Sequence, residues 1–266
     1  MIPNRPSPAA AARTALSAAA HVTRGVEQAL LGAVTDDTVK PDGRRQRWEK
    51  HKQDRRSELT DGTIDAVRAL GADAGMDEIA THIGVSKTVL YRYFSDKNDL
   101  GTAVTVRFFE TTLLPRLAEA ISDDADEYTL TRTVIGVYVR AVADDPGLYR
   151  FALTNSPTSS VGTVESERLV AQLLTATIVA RMEERAADTS GAMVWSHVLV
   201  GGMQRAVDWW MTDRELPVDD LIDYLTMMVW SSVTGIARVN GSREAFIADP
   251  PVLTQPTRPE EVSFDG

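Results

Sequence analysis

The sequence contains no cysteine, which excludes disulfide bonds, cysteine–zinc sites and thiol catalysis. Histidine is scarce too, and no two of the four have the spacing of a metal-binding pair: His21, His51, His82 and His197. The chain has neither a glycine-rich phosphate loop nor a G-x-S-x-G nucleophile motif. These absences argue against an enzyme, and we expect no cofactor and no metal.

Long apolar runs are missing as well. No segment approaches the ~18 consecutive apolar residues of a membrane span, so we expect no membrane partner. The first residues, MIPNRPSPAAAARTA, lack the basic region and strong apolar core of a secretory signal. Together with the missing cysteines, this predicts a cytoplasmic protein.

Charge is divided unevenly along the 266 residues, whose net charge is −10 and whose hydrophobic content of 43% is ample for a core. Residues 1–107 carry 16 basic and 14 acidic side chains, whereas residues 108–266 carry 12 and 24. The acidic excess therefore lies in the second part. The net charge does not exclude a nucleic-acid partner for the first part.

Residues 76–100 have the pattern of two short helices joined by a tight turn and followed by a third helix. The first helix buries apolar residues at helical spacing: Met76, Ile79, Ala80 and Ile83. Gly84 can adopt the left-handed conformation that ends a helix, and Ser86 is a good N-cap for the next. The second helix is predicted over Ser86–Phe94. This is a helix-turn-helix, which places one helix in the DNA major groove.

The same spacing resembles the tetracycline-repressor (TetR/AcrR) family of bacterial transcription regulators. The matching positions are Ile79, Ala80, Gly84, Val85, Ser86, Leu90, Tyr91, Tyr93, Phe94, Lys97 and Leu100. Gly75 and Thr88 depart mildly from the family, which often has threonine and glycine there. The resemblance implies an all-α protein with an N-terminal helix-turn-helix domain and a C-terminal helical domain for ligand binding and dimerisation.

The resemblance also implies roles for individual side chains. Tyr91, Lys97 and Tyr93 would contact phosphates, and Lys87 and Thr88, at the exposed start of the second helix, would contact base edges. If Tyr91, Tyr93 and Phe94 formed only an aromatic core cluster, these roles would fail. The predicted DNA-binding residues are Arg44, Arg45, Arg47, Lys52, Ser86, Lys87, Thr88, Tyr91, Arg92, Tyr93 and Lys97.

The basic residues of that set come partly from the run GRRQRWEKHKQDRR over residues 43–56, which has seven basic and two acidic side chains. It leads into a first helix predicted over Lys52–Leu70. Beside a helix-turn-helix, the run favours an arm that follows phosphates or enters the minor groove. The alternative is a solvated charged helix face.

The remaining segments are predicted to be helical, and we divide the chain into four parts. Residues 1–42 are an alanine-rich extension with a helix from Ser7 to about Val34, and residues 43–101 are the DNA-binding domain. Residues 102–240 are the helical effector-binding and dimerisation domain, in which Pro115 kinks or breaks a helix. Residues 241–266 contain four prolines and are expected to be a flexible tail.

The last two long helices, Ser190–Thr212 and Asp219–Asn240, are apolar on more than one face. Such a helix needs two partners, so we expect one face to pack within the subunit and another on a second copy. The predicted dimerisation residues are Trp195, Gly202, Trp209, Leu225, Met228 and Trp230. The alternative is a fully buried central helix in a monomer.

The helices between residues 100 and 212 leave room for an apolar pocket. The predicted effector-binding residues are Phe108, Phe109, Leu113, Val134, Tyr138, Tyr149, Phe151, Asn155, Met193 and His197. For any one of them, ordinary core is the alternative. The overall prediction is a homodimeric repressor of a palindromic double-stranded DNA operator, released by a small, largely apolar effector such as an acyl-coenzyme A thioester. A DNA-binding regulator or architectural protein without an effector, and an enzyme with an accidental motif, remain the alternatives.

Overall fold

The computed structural model describes Ala10, Arg13, Thr14, Ser17 and residues 43–120, 125–155, 161–213 and 215–252. These residues form helices, turns and bends but no strand, so the all-α prediction is confirmed. Within them, no helix is both long enough and apolar enough to cross a bilayer. Ala10, Arg13, Thr14 and Ser17 are helical, and the rest of the helix predicted from Ser7 lies outside the described residues.

The first four helices of the main body are α1 (Gly43–Leu70), α2 (Met76–His82), α3 (Lys87–Tyr93) and α4 (Lys97–Phe108). The predicted Lys52 start of α1 was wrong, because α1 begins at Gly43 and includes the whole basic run. The run consists of good helix formers with no proline, so nothing in it stops the helix from continuing toward the N-terminus. The basic run is therefore helical, and its contact with phosphates stays a prediction.

The helix predicted to kink or break at Pro115 changes its hydrogen-bond pattern just before that residue. A π-helical segment, Phe109–Leu113, joins α4 to the short helix α5 (Leu114–Ala120). The Leu114 N–H donates to the Phe109 carbonyl, five residues back. A proline ring crowds the preceding turn and has no N–H, and the wider π turn accommodates both features.

The body continues with α6 (Glu127–Asp144) and α7 (Pro146–Thr154), separated by Asp145. Asp145 accepts a hydrogen bond from the Leu148 N–H (3.3 Å), and Pro146 occupies the first helical position. The last helices are α8 (Val161–Glu183), α9 (Ala192–Asp213), α10 (Val218–Arg238) and α11 (Arg243–Ala248).

Helix α11 corrects the prediction for residues 241–266, because the tail contains a helix at its start. The Ser242 side chain caps this helix by accepting from the Ala245 N–H (3.1 Å). Gly241, with φ +74°, turns the chain after α10. The carbonyl of its neighbour Asn240 accepts a hydrogen bond from the Asp188 N–H (2.9 Å), which ties this turn to the segment between α8 and α9. Residues 253–266 lie outside the described residues.

Two apolar clusters hold the helices together. The first joins α1–α4 with residues from α6 and α7, including the fully buried Leu148 and Phe151. The second joins α6, α9 and α10 around Val139, Val207 and Ile222. Because α6 contributes to both clusters and α1 and α4 both contact α7, the two clusters are joined into one structure.

Candidate nucleic-acid interface

The turn between α2 and α3 has the geometry that its glycine requires. Gly84 has φ +72°, and its N–H donates to the Thr81 carbonyl (3.2 Å). The Val85 N–H donates to the Ala80 carbonyl (3.0 Å), which completes a Schellman ending for α2. A side chain at residue 84 would be strained in this conformation, so the angle between the two helices depends on glycine.

Helix α3, the recognition helix, is anchored on one face and exposed on the other. Ser86 caps it by accepting from the Val89 N–H (3.3 Å), and the O–H of the same hydroxyl can still donate to another group. Leu90 and Phe94 are fully buried. The exposed face carries Lys87, Thr88, Tyr91 and Arg92, all predicted DNA contacts, whereas the predicted contact Tyr93 is half-buried.

Lys87 is held by a carboxylate of the preceding helix. Its Nζ lies 2.7 Å from Asp77 Oδ1 and 2.9 Å from Oδ2, and 5.9 Å from the centre of the Tyr91 ring. The hydrogen bond and charge of Asp77 raise the pKa of Lys87 above its usual value. Lys87 is therefore a charged donor with a set position at the first turn of the recognition helix.

Arg56 fixes the other end of the recognition helix, a role that the sequence did not reveal. It belongs to the basic run but is 5% exposed, and its guanidinium forms a two-nitrogen ion pair with Asp99 of α4. It also donates to the Tyr93 carbonyl and lies over the Phe94 ring, 4.3 Å from its centre. Asp99 accepts in addition from the Ser95 N–H (2.9 Å). One buried cation thus joins α1, the end of α3 and the start of α4.

Lys97 lies at the boundary between the DNA-binding helices and the body. It is half-buried, and its Nζ is 5.4 Å from the centre of the Phe151 ring in α7. Nearby, Gly101 of α4 lies against Asn155, where a Cβ would be only 2.5 Å from the Asn155 carbonyl oxygen. The predicted phosphate contact Lys97 is therefore also a contact between α4 and α7.

The basic half of α1 contributes a further exposed surface. Trp48 is 60% exposed, and the Lys52 Nζ lies 5.7 Å from the centre of its ring. Arg55 pairs with Glu58 (2.6 Å) along the same helix. The side chains of Arg44, Arg45 and Arg47 lie outside the described part of the chain.

The predicted effector residues differ in how deeply they are buried. Four are buried in the core or at its edge: Phe108, Leu113, Phe151 and Asn155. Three are half-buried, Phe109, Tyr138 and Tyr149, and the hydroxyls of the two tyrosines lie 3.0 Å apart. Three are exposed, Val134, Met193 and His197, and His197 Nδ1 contacts its own helix at the Met193 carbonyl (2.8 Å).

Neither of two pockets in the described residues is lined by any of these ten side chains. One lies between α1 and α4 near Arg56 and Arg107. The other lies between α1 and the turn after α2, with a volume of about 290 Å³. Both are lined by α1 and the segments next to it, and neither includes a residue of α5–α11.

The predicted dimerisation residues divide into inner and outer positions. Leu225 is buried in the second apolar cluster, and Trp195 and Trp230 are half-buried, Trp230 against the Tyr128 ring (5.4 Å between centres). Gly202, Trp209 and Met228 are exposed. Leu225 packs within the subunit because it lies on the face of α10 that meets α6. The sequence also missed exposed apolar residues beside the outer set: Val194, Val198, Tyr224 and Met227.

Comparison with known proteins agrees with this architecture. The family model described as "Bacterial regulatory proteins, tetR family" matches residues 62–104, and "Tetracyclin repressor-like, C-terminal domain" matches residues 116–245. An uncharacterized HTH-type transcriptional regulator of Mycobacterium tuberculosis is 51% identical over 214 residues, which cover 80% of this chain and 92% of that protein.

Two matches of lower sequence identity are also regulators by their names. The HTH-type transcriptional activator FasR of Mycolicibacterium smegmatis is 24% identical over 61% of this chain and 75% of its own length. The solved structure of the fatty acid degradation regulator FadR from Bacillus halodurans shares the fold. It has a TM-score of 0.50, 17% identity, and coverage of 66% of this chain and 94% of that one. The chain belongs to the tetR family of bacterial regulatory proteins, and it is a DNA-binding transcriptional regulator.

Proposed function

We propose that the chain acts as a homodimeric repressor of a palindromic operator, and that a small, largely apolar effector releases it. The observation that carries the proposal is the recognition helix. It is capped at Ser86, tied at its far end through Arg56, and exposed along Lys87, Thr88, Tyr91 and Arg92. A helix with two fixed ends and a polar, partly basic outer face is suited to the major groove.

Two kinds of contact are expected from that face. Lys87 and Thr88, in the first turn, contact base edges, because the N-terminal residues of a recognition helix contact the bases. Tyr91 and Arg92, one turn further along, donate to phosphates and fix the register. Lys52 and the arginines at positions 44, 45 and 47 add phosphate contacts from the basic half of α1.

Substitutions on this face test the assignment. Tyr91→Phe removes one hydroxyl donor and is expected to weaken binding by about fivefold on every duplex, since a hydrogen bond contributes about 1 kcal/mol. Lys87→Ala is expected to lose about 1–3 kcal/mol of discrimination at one base position. Gel shifts on a selected operator and its single-base variants measure both effects.

The matched control is Arg116→Ala on α5, which removes one charge from a pair with Asp144 (2.6 Å) away from the recognition helix. It should leave both the affinity and the sequence preference unchanged. Unaltered binding by Tyr91→Phe and Lys87→Ala on every duplex would refute the assignment of α3 to DNA.

Dimerisation is supported by the outer faces of α9 and α10. Val194, Val198 and Trp209 are more than 60% exposed on α9, and they recur at the helical spacing of one face together with Gly202. Tyr224 and Met227 are equally exposed on α10. An apolar face of this kind is typical of an interface, because monomers rarely leave one in water.

Val198→Glu tests the dimer. A carboxylate from each copy would be buried without a partner, which costs at least about 3 kcal/mol and raises the dimer dissociation constant at least about a hundredfold. Analytical ultracentrifugation measures this constant. Val134→Glu, on an exposed apolar residue of α6, is the matched control and should leave the dimer intact. A chain that sediments as a monomer before any substitution would exclude the interface.

The alternative of a regulator without an effector is favoured by one observation. Val134, Met193 and His197, which were expected to line the pocket, are exposed, whereas Phe151 and Leu148 are tightly packed. Thermal melts with acyl-coenzyme A thioesters, and with free coenzyme A as the control, separate the two proposals. Stabilisation by a thioester that also releases DNA supports an effector; the alternative predicts neither effect for any apolar ligand.

A further inference from the structure

We propose that Asp77 is a specificity-determining residue of the DNA-binding surface. It holds the Lys87 ammonium in place and disfavours binding of that ammonium to the phosphates of non-cognate DNA. The inference rests on the proposed assignment of α3 to the major groove, and it adds an acidic residue to a surface otherwise described by its basic and hydroxyl groups.

The geometry places the acid beside the base-contacting residue. Both Asp77 oxygens lie within 3 Å of the Lys87 Nζ, so one carboxylate occupies up to two of the three ammonium donors. Asp77 lies in the first turn of α2, and Lys87 in the first turn of α3. Both side chains are more than half exposed, so the pair lies on the surface and not in the core.

The Asp77 carboxylate is not needed to cap α2. The Gly75 N–H at the start of α2 donates to Glu78 Oε2 (2.8 Å), so Glu78 forms the cap. Asp77 contributes its backbone carbonyl to the Thr81 hydroxyl (2.8 Å), which any residue could do. Its carboxylate is directed to Lys87 instead.

The position of this carboxylate matters because it lies beside the ammonium that would contact DNA. To bind a phosphate with its remaining donor, Lys87 must bring a second anion close to the Asp77 carboxylate, and the two negative charges repel each other. To bind a guanine edge, Lys87 can keep Asp77 and use its remaining donor on the neutral O6 or N7 acceptor. The carboxylate therefore weakens phosphate-only binding more than base-specific binding.

The test compares two duplexes of equal length and composition, one selected from random DNA by the unaltered protein and one scrambled. The measured quantity is the dissociation constant of the scrambled duplex divided by that of the selected duplex. Asp77→Asn is expected to lower this ratio about fivefold, the scale of one surface ion pair, chiefly by tightening binding to the scrambled duplex. Asp77→Glu keeps the charge and should restore the ratio to within about twofold of the unaltered protein.

Asp73→Asn is the matched control. It makes the same change in charge in the loop before α2, and no described contact joins Asp73 to Lys87. It should strengthen binding to both duplexes by the same factor and leave the ratio unchanged. In a Lys87→Ala background, Asp77→Asn should also leave the ratio unchanged, because the inferred effect acts through Lys87. Circular dichroism melts confirm that each variant is folded at the assay temperature.

The outcomes separate this inference from the function on which it rests. The role of Asp77 is refuted if Asp77→Asn changes the dissociation constants of both duplexes by the same factor, as is expected of Asp73→Asn. It is also refuted if Asp77→Asn changes the ratio in the Lys87→Ala background. If the unaltered protein gives a ratio near one, sequence-specific binding itself fails. A Glu variant that behaves like the Asn variant would also overturn the inference.

Discussion

Replacement of Arg56 by methionine is expected to lower the free energy of unfolding by about 3–5 kcal/mol, the cost of breaking a buried ion pair from one side. The substitution leaves the Asp99 carboxylate and the Tyr93 carbonyl without their buried donor, and it removes the cation over Phe94. Methionine fills most of the space, so the loss reports the polar contacts more than a cavity. Urea denaturation followed by circular dichroism measures it.

Arg55→Met is the matched control, one residue away in the same helix. Arg55 is 41% exposed and pairs only with a carboxylate three residues along the helix among its described contacts, so its loss should cost less than about 1 kcal/mol. Arg56→Lys should also destabilise, because an ammonium cannot reproduce the two-nitrogen pair. Equal stability of the Arg55 and Arg56 variants would contradict the role assigned to Arg56.

The second large loss of stability is expected from a substitution at Gly101, where α4 crosses the end of α7. Gly101→Ala places a Cβ 2.5 Å from the Asn155 carbonyl oxygen and 2.8 Å from the Asn155 Cβ. Backbone atoms cannot rotate away as a side chain can, so the two helices must separate. We expect a net loss of about 1–3 kcal/mol of unfolding free energy, even though alanine favours a helix over glycine.

Gly147→Ala in α7 provides the comparison, since a Cβ there meets nothing within 4 Å. This variant should be unchanged or stabilised by up to about 1 kcal/mol. Separation of α4 from α7 would also move Lys97 relative to Phe151, so the Gly101 variant should bind the selected duplex more weakly at a temperature where it is folded. A Gly101 variant as stable as the Gly147 variant would show that this crossing is not close-packed in solution.

Much of the helix-turn-helix could be predicted because its signals are local. Gly84 supplies the left-handed turn and Ser86 the cap, each within a few residues of the helix that it controls. Asp145 and Pro146 are signals of the same local kind at the start of α7. Such features depend on backbone groups whose partners are fixed by the spacing along the chain.

The role of Arg56 could not be predicted because its partners are remote. Asp99 lies 43 residues away, and six other basic residues of the run resemble Arg56 in sequence. Only the packing of α1 against α4 separates the buried arginine from its exposed neighbours. The start of α1 was missed for a related reason, since a charged segment without an apolar stripe gives no periodic signal for a helix.

The sequence also could not show which faces of α9 and α10 are buried within the subunit and which are exposed. Apolar residues surround α9 and α10 on more than one side, so periodicity did not distinguish Leu225, which faces α6, from Tyr224 and Met227, which face outward. The predicted effector residues differ in burial because an apolar pattern is compatible both with burial in the core and with exposure on a helix. Tertiary packing decides whether such a residue is buried or exposed, and no pattern within a short segment predicts that packing.

The central claim is that two copies of the recognition helix occupy successive major grooves of one duplex. Selection of binding sites from random DNA with the full chain, followed by footprinting of the enriched sequence, tests it most directly. We predict an inverted repeat whose half-site centres are separated by about one helical turn, 10–10.5 base pairs, with protection on one side of the duplex. Enrichment of no sequence, or of a single half-site without its inverted copy, would contradict the account.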